Sequence, residues 1–315
     1  MLLAAPALCA AQQPSRMARI GVLVPSTMAA YAPRMENLRA SLRDLGQIEG
    51  RHYVFEYRVA EGKTEKLPAL AAELVGLGVD VIVTAGTPAT RALKQATATI
   101  PIVMAANGDA IATGLIASLA RPGGNITGTT YFAPELHVKR LELLTQVVPQ
   151  LRRVGVLVNP ENLQIVNATL PALRSAADLM KIELVAAEAR NPTEFEGAFS
   201  AMVNARAEAV AIADDPMFIF NFRALADLAT AKRLPSNGAK EYAEVGGLIG
   251  YGANLIEIWR QAGSFVDRIL KGARPADLPV EQATKFELVL NLKTAKAIGA
   301  KVPQSLLVRA DSVIE

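Results

Sequence analysis

The run RIGVLV at Arg19–Val24 returns almost letter for letter as RVGVLV at Arg153–Val158. Both runs are short and rich in aliphatic residues, as is typical of strands that are buried on both faces of a sheet. A turn signal follows each run, Pro25-Ser26 in the first half and Asn159-Pro160 in the second. The near-repeat therefore predicts two similar units, each of which opens with a buried strand.

Strand and helix patterns alternate outward from these two runs. Helical spacing follows the first run, with Leu38, Leu42 and Leu45 on one face and Gly46 as a stop. Further strands are predicted at 54–59, 79–84, 102–105, 126–130, 182–187, 209–213, 248–250 and 286–290. Helices are predicted at 33–45, 66–77, 87–96, 110–120, 134–148, 164–180, 193–205, 220–232, 254–270 and 293–298. This alternation predicts an α/β fold of two doubly wound parallel-sheet lobes, with helices on both faces of each sheet.

Composition limits the classes of function. The chain has 315 residues, more than one compact core usually holds, so two domains are expected. Hydrophobic residues make up 51% and charged residues 20%, which is an ordinary globular balance. The net charge of +3 is spread along the chain without a Lys/Arg block, so we expect no nucleic-acid partner.

The start of the chain resembles a targeting segment. Met1–Ala11 reads MLLAAPALCAA, which is apolar and rich in small residues like the end of a secretory signal peptide. We expect 1–17 to be a signal-peptide remnant and leader, and the mature protein to be soluble and periplasmic or otherwise extracytoplasmic. Lipid anchoring through Cys9 is less favoured because Leu8, rather than a small residue, precedes it. A frayed cytoplasmic N-terminus is the alternative interpretation.

Small and polar residues directly follow several predicted strands. In parallel sheets, ligands bind at the carboxyl ends of the strands. Thr87-Pro88 and Asp215-Pro216 each place a capping residue before proline, a pattern that favours a helix start. Gly86 would let the free N–H groups of such a helix start approach an anion such as a carboxylate. The alternative interpretation is that these residues only cap their helices.

Acidic and aromatic residues lie near the same strand ends. Carboxylates there would pair with a ligand ammonium group if they face a cleft, or cap helices if they do not. Aromatic residues in predicted loops would stack on an apolar part of a ligand or pack in the core. The carboxylates are Asp109, Glu161, Asp214 and Asp215, and the aromatic residues are Tyr31, Tyr131, Phe218 and Tyr251. Helix starts on one lobe and carboxylates on the other would suit a zwitterion.

No sequence feature indicates catalysis, a cofactor or a metal. His52 and His137 are far apart and lack metal-ligand spacing, and His137 is expected on a helix as a surface or core residue. The chain has no G-x-S-x-G, P-loop or G-x-G-x-x-G motif. We therefore predict a binding protein and not an enzyme, with no cofactor and no metal site.

Four segments carry a resemblance to a known family. They read ARPGGNITGT at Ala120–Thr129, DLPVE at Asp277–Glu281, KFELVLNLKTAKAIG at Lys285–Gly299 and VPQSLLVRADSVIE at Val302–Glu315. With them, the chain from residue 19 onward resembles the bacterial ABC-transporter substrate-binding proteins of the tryptophan/tyrosine-transport type. The resemblance implies the type I periplasmic-binding-protein fold, in which crossover strands join two lobes around a solute cleft.

The resemblance also implies a set of binding residues. Matching the family motifs gives Ser26, Thr27, Thr84, Gly86, Thr87, Asp109, Thr129, Asn159, Glu161, Asn162, Asp214 and Asp215, to which Tyr251 is added as a loop aromatic. Two positions depart from the family pattern at the predicted cleft. Ala110 stands where many members have proline, and Pro216 stands where many have asparagine.

These observations together predict an extracytoplasmic solute-binding component of an ABC importer. We expect it to bind a small organic carboxylate, such as an aromatic amino acid or related aromatic acid, and to work as a monomer with an inner-membrane permease. Lobe one is expected at 18–129 plus 247–281, and lobe two at 130–246 plus 282–315. The alternative is a sensing protein that presents its solute to a membrane receptor. A hydrolase or isomerase would instead turn over its bound ligand.

Overall fold

The strands and helices below come from a computed structural model that describes residues 16–130, 133–283 and 285–315. The predicted signal-peptide segment with Cys9, and Tyr131, lie outside the described residues. The strands are β1 Ala18–Val24, β2 Tyr53–Val59, β3 Val81–Ala85, β4 Ile102–Asn107, β5 Ile126–Thr130, β6 Arg153–Val158, β7 Glu183–Glu188, β8 Ala209–Ile212, β9 Ser236–Gly238, β10 Ile249–Ala253, β11 Glu281–Gln282, β12 Phe286–Asn291 and β13 Ser312–Ile314. The helices are α1 Met28–Asp44, α2 Leu67–Gly76, α3 Thr87–Ala96, α4 Ala133–Val147, α5 Leu163–Met180, α6 Phe195–Asn204, α7 Pro216–Phe220, α8 Phe222–Ala231, α9 Lys240–Glu244, α10 Leu255–Leu270, α11 Leu292–Ile298 and α12 Gln304–Leu307.

The described strands form two sheets with the same internal order. The six-stranded sheet runs β11-β5-β4-β3-β1-β2, and the seven-stranded sheet runs β13-β12-β10-β9-β8-β6-β7. In each sheet the first strand lies between the second and the third, which is a doubly wound order with a switch point beside the first strand. The two quoted runs are therefore β1 and β6, the equivalent inner strands of the two sheets. We call each sheet with its helices a lobe, and the predicted fold class is confirmed.

The glycine in the middle of each run brings the sheet close to its neighbours. A Cβ on Gly155 would overlap the Met202 side chain of α6. A Cβ on Gly21 would lie 3.2 Å from the side chains of Val79 and Ile82. The same glycine position therefore lies in close packing in both lobes, with the tighter contact at Gly155.

The chain crosses between the lobes three times. It crosses after β5 into α4, after β10 into α10, and from β11 into β12. Helix α10 returns to the first lobe, where it packs on α1 and β4. The two lobes are thus linked by three neighbouring segments, as the predicted crossover strands required.

The expected lobe boundary at 247 differs from the sheet pairing. Residues 247–281 were assigned to lobe one, but β10 pairs with β9 and β12 of the seven-stranded sheet. The β10–β12 pair is also the antiparallel one among the described ladders. A strand that leaves one sheet and feeds a helix of the other is hard to assign from local patterns, because both neighbours are distant in sequence.

The predicted helix at 110–120 is wrong. The segment forms turns instead, and Gly114 has a φ of +68°, which a helix does not allow. The Asp109 carboxylate accepts the N–H groups of Ile111 and Ala112, and the Ser118 hydroxyl bonds to the Arg121 backbone. Local side-chain bonds of this kind compete with helix formation and here outweigh the alanine propensity.

Each lobe has its own apolar core. Residues such as Ile20, Val22, Val83 and Val103 fill the first lobe, and Val154, Val156, Phe199 and Val210 fill the second. Within the described residues, no helix is both long and apolar enough to cross a membrane. The two cores leave the strand ends free to build a cleft between the lobes.

Candidate functional site

A cavity of about 360 Å³ lies between the lobes, at the carboxyl ends of the strands. The first lobe contributes Pro25, Tyr31, Arg34, Ala85, Gly86, Thr87, Ala106, Gly108, Asp109, Ala112, Thr113, Leu255 and Trp259. The second lobe contributes Pro134, Asn167, Ala168, Thr169, Asp214, Pro216, Ile219 and Phe220. The position next to the switch points is where doubly wound sheets bind their ligands, and the volume suits a small molecule.

Three aromatic rings form one wall of the cavity. The Tyr31 ring centroid is 5.5 Å from that of Phe220 and 5.4 Å from that of Trp259. Phe220 belongs to α7 of the second lobe but packs against the core of the first. Burial raises the pKa of Tyr31 to about 12, against the opposing effect of Arg34, so its hydroxyl stays neutral. The wall offers an apolar face with one neutral hydroxyl.

The start of α3 supplies backbone N–H groups at the cavity. Gly86 has a φ of +82° and precedes the helix, and its own N–H donates to the Ala106 carbonyl at 2.8 Å. This conformation favours glycine and lets the chain turn directly from β3 into the helix. The Gly86 and Thr87 positions both line the cavity. A helix start with little side-chain cover is suited to an anion.

Asp214 provides a buried carboxylate in the second lobe's wall. Arg140 of α4 donates from Nη1 to Asp214 Oδ1 at 2.7 Å, and both side chains are almost fully buried. Burial alone would raise the pKa of Asp214, but the charge and the hydrogen bond of Arg140 outweigh that effect and lower it. Asp214 is therefore ionised inside the cleft.

His137 lies beside this ion pair as a buried, neutral imidazole. Its Nε2 is 3.9 Å from Asp214 Oδ2, and its Nδ1 is 3.4 Å from Arg140 Nη1. Burial, aided by Arg140 and opposed by Asp214, lowers the pKa of His137 to about 4. The prediction of a helical surface or core residue is thus resolved in favour of the core.

The first lobe contributes one carboxylate and one guanidinium. Asp109 Oδ1 accepts the N–H groups of Ile111 and Ala112 at 3.0 and 2.9 Å, which fixes the carboxylate at the cavity. The Arg34 guanidinium lies 5.2 Å from the Tyr31 ring centroid and also lines the cavity. Across the cleft, burial raises the pKa of Glu241, and the charge of Arg34 opposes that rise.

The structure places four of the thirteen predicted binding residues on the cavity wall, namely Gly86, Thr87, Asp109 and Asp214.

Asp215 follows Asp214 directly but caps α7. Its Oδ1 accepts the Met217 N–H at 2.8 Å, and its Oδ2 accepts from Asn162 Nδ2 at 3.0 Å. Burial raises the pKa of Asp215, and its hydrogen bonds oppose the rise. The alternative interpretation, a cap, therefore describes Asp215 best.

The other predicted residues are not among those that line the cavity. Asn159 Oδ1 accepts the Glu161 N–H at 3.1 Å, and the Thr27 hydroxyl accepts the Ala30 N–H at the start of α1. The Thr84 hydroxyl donates to the Leu23 carbonyl and joins β3 to β1. The remaining three are Ser26, buried after β1, Thr129, buried in β5, and Tyr251, whose ring lies 6.2 Å from that of Phe286.

Several cavity residues escaped the sequence predictions. Tyr31 was proposed as a loop aromatic, but it lies in α1, whereas Phe218 is a core residue of α7. Trp259, Phe220 and Arg34 were not singled out, because each lies inside a helical pattern. The signal that could have identified Phe220 is its position just after the Asp215-Pro216 helix start.

Metal binding has no support in the described part of the chain. No group of three or more His, Cys, Asp or Glu side chains there is arranged to hold a metal ion. The cleft instead offers a helix start, one cation and two carboxylates around an apolar wall. Such a set can bind a small polar molecule without chemical change.

Comparisons with known proteins also indicate a protein that binds a small molecule. A family described as ABC transporter substrate binding protein matches residues 19–314. The tyrosine-binding protein of Clostridioides difficile is 26% identical over 262 residues, which cover 82% of this chain and 74% of that protein.

Two solved structures are similar over nearly the whole chain. A conserved domain protein from Vibrio cholerae is 28% identical with a TM-score of 0.88, covering 95% of this chain and 100% of that one. An ABC domain in complex with L-Trp from Streptococcus pneumonia is 25% identical with a TM-score of 0.87, covering 95% and 100%. The family, the tyrosine-binding protein and the L-Trp complex are substrate-binding proteins and not enzymes. The chain therefore belongs to the ABC transporter substrate-binding protein family, with the type I periplasmic-binding-protein fold.

Proposed function

We propose that this protein binds a zwitterionic aromatic amino acid, or a related aromatic acid, between its lobes and delivers it to an ABC permease. The observation that carries the proposal is the cavity itself. It joins an apolar aromatic wall to groups of both charge signs, and both lobes contribute to it. A ligand that bridges two lobes favours their closed arrangement, which a permease can distinguish from the open one.

The charged groups suit the two ends of an amino acid. The start of α3 and the Arg34 guanidinium would receive the carboxylate. Asp214 in the second lobe, with Asp109 in the first, would receive the ammonium group. The placement fits a ligand that spans the cleft, because anion-binding groups lie in the first lobe and the ionised Asp214 lies in the second.

The aromatic wall suits the side chain. Tyr31, Phe220 and Trp259 would contact a flat apolar group. The relatives that bind tyrosine and L-Trp support this ligand class. Pro216 lines the cavity where many family members have asparagine, and proline offers no hydrogen-bond donor. We therefore propose that the ligand receives no hydrogen bond from position 216 in this protein.

The proposal also covers the oligomeric state, the location and the partners. We propose that the protein acts as a monomer outside the cytoplasm, with a permease partner and without nucleic acid. The first lobe would comprise 18–130 and the segment from α10 to β11, and the second lobe would comprise the rest of the described chain. Size-exclusion chromatography with light scattering tests the monomer.

A thermal-shift screen tests the ligand class. The panel contains L-tryptophan, L-tyrosine, L-phenylalanine, their des-amino acids and aliphatic amino acids as controls. A ligand present at about one hundred times its Kd stabilises the folded protein by about 2.7 kcal/mol, which raises the Tm by several degrees. Stabilisation by aromatic members is the expected result. No stabilisation by any aromatic amino acid or aromatic acid would show that the ligand class is wrong.

A further inference from the structure

Arg140 connects the cavity wall to a segment that joins the lobes. Its Nη1 donates to Asp214 Oδ1 at 2.7 Å, and its Nε donates to the Tyr251 carbonyl at 2.7 Å. Asp214 lines the cavity, whereas Tyr251 lies in β10, which leads into the crossover to α10. One guanidinium thus holds a binding-site carboxylate and a crossover strand at the same time.

The surrounding chain is built to admit this side chain. A Cβ on Gly252 would lie 3.2 Å from Arg140 Nη2, so the strand leaves room for the guanidinium. The Asn237 side chain donates to the Arg140 carbonyl at 2.7 Å and fixes α4 at the same place. Arg140 is only 1% exposed. A buried guanidinium is unfavourable unless its partners are well placed, so the two bonds account for its position.

The geometry leaves one Asp214 oxygen for another partner. Arg140 occupies Oδ1, while His137 Nε2 lies 3.9 Å from Oδ2, beyond hydrogen-bond distance. That nitrogen is buried and has no hydrogen-bond partner in the described residues. His137 is neutral at ordinary pH, because burial lowers its pKa to about 4, so it does not compete as a cation for Oδ2.

We propose that Arg140 is a positioning residue that turns the Asp214 carboxylate toward the ligand ammonium group and ties its position to the crossover strand β10. The proposal rests on the proposed function, in which Asp214 receives that ammonium. Arg140 does not touch the ligand itself. Its effect should therefore be selective, since a ligand without an ammonium group gains nothing from an oriented Asp214.

Isothermal titration calorimetry on the full-length protein tests this selectivity. The probes are L-tyrosine and L-tryptophan, and their des-amino analogues 3-(4-hydroxyphenyl)propionate and indole-3-propionate. In Arg140→Met, the Kd for the amino acids should rise by at least about tenfold, while that for the des-amino acids should change by less than about threefold. Arg140→Lys keeps a charge near Asp214 but cannot form both bonds, so we expect an intermediate loss. Lys139→Met, at the half-buried neighbour that pairs with Glu142, is the matched control and should leave both Kd values unchanged.

Two calorimetric outcomes would overturn the proposal. Equal loss for both ligand classes would mean that Arg140 only supports the fold, and no loss for either would mean that it does not position Asp214. A second readout needs no ligand: the Asp214 carboxyl, followed by NMR, should titrate at higher pH in Arg140→Met than in the wild type. An unchanged pKa of Asp214 would show that the ion pair with Arg140 does not stabilise the ionised carboxylate. If the wild type binds none of the four probes, the proposed ligand class fails, and the NMR titration still decides the role of Arg140.

Discussion

The ring centroids of Tyr31 and Phe220 lie 5.5 Å apart, although the two residues belong to α1 and α7 in opposite lobes. Phe220 packs on the first lobe's core in the same place where it lines the cavity. The same residues therefore form the contact between the lobes and the apolar wall of the site. A ligand seated against this wall would stabilise both, which links binding to closure.

Phe220→Ala should weaken ligand binding more than it weakens the fold. The substitution removes one face of the aromatic wall and the ring that reaches the opposite lobe. We expect the Kd for an aromatic amino acid to rise by about tenfold or more, as measured by calorimetry. Phe55→Ala, a partly buried phenylalanine in β2, is the control and should leave the Kd unchanged. An unchanged Kd in Phe220→Ala would show that the wall does not contact the ligand.

The adjacent aspartates Asp214 and Asp215 should differ sharply in their effect on binding. Asp214→Asn removes the charge that faces the cavity and should raise the Kd for an amino acid by about tenfold or more. Asp215→Asn keeps a capping side chain for α7 and should leave the Kd within about threefold, because asparagine is also a good cap. Calorimetry measures the Kd for an amino acid in each of the two variants. Equal losses, or a larger loss in Asp215→Asn, would contradict the assignment of Asp214 to the site.

Gly86→Ala should destabilise the protein through backbone strain and not through a steric clash. An added Cβ would lie 3.5 Å from Pro216 Cγ, an ordinary contact, but Gly86 has a φ of +82°. We expect the free energy of unfolding in urea to fall by about 1–3 kcal/mol. Gly76→Ala is the matched control, since Gly76 ends α2 with no atom close to an added Cβ. It should instead keep or slightly raise the stability.

The folded state should lose stability on acidification through His137. Burial lowers the pKa of His137 from 6.5 to about 4, so the unfolded chain takes up this proton more readily than the folded protein. The contribution to stability is therefore complete above pH 6.5 and is lost as the pH falls toward about 4. It amounts to about 3 kcal/mol. His137→Gln should reduce the difference between urea unfolding energies at about pH 7.5 and about pH 4.5. The same difference in both proteins would contradict the assignment.

Local patterns were sufficient to predict the architecture. The near-repeat of β1 and β6, and the alternation around them, depend on residues close together in sequence. The same reasoning failed at 110–120, where Gly114 and the bonds of Asp109 override the alanine propensity. It also failed at β10, whose pairing partners and following helix belong to different lobes.

The site was only partly predictable, because its members come together through the fold. Tyr31, Phe220 and Trp259 are far apart in sequence, and each lies in a helix whose pattern does not show which face meets the cleft. Asp214 and Asp215 are adjacent and chemically identical, so only the backbone direction after β8 separates a cavity carboxylate from a helix cap. Arg140 was missed because a buried arginine on an amphipathic helix has the same local pattern as an exposed one.

A crystal structure of the protein with the best ligand of the thermal-shift screen tests the central claim most directly. We expect an aromatic amino acid in the cavity between the lobes, with its ring against Tyr31, Phe220 and Trp259. Its ammonium nitrogen should lie about 3 Å from Asp214 Oδ2, and its carboxylate should lie at the start of α3 or at Arg34. A ligand bound outside this cavity, or bound inside it with no contact to Asp214 and the aromatic wall, would contradict the account.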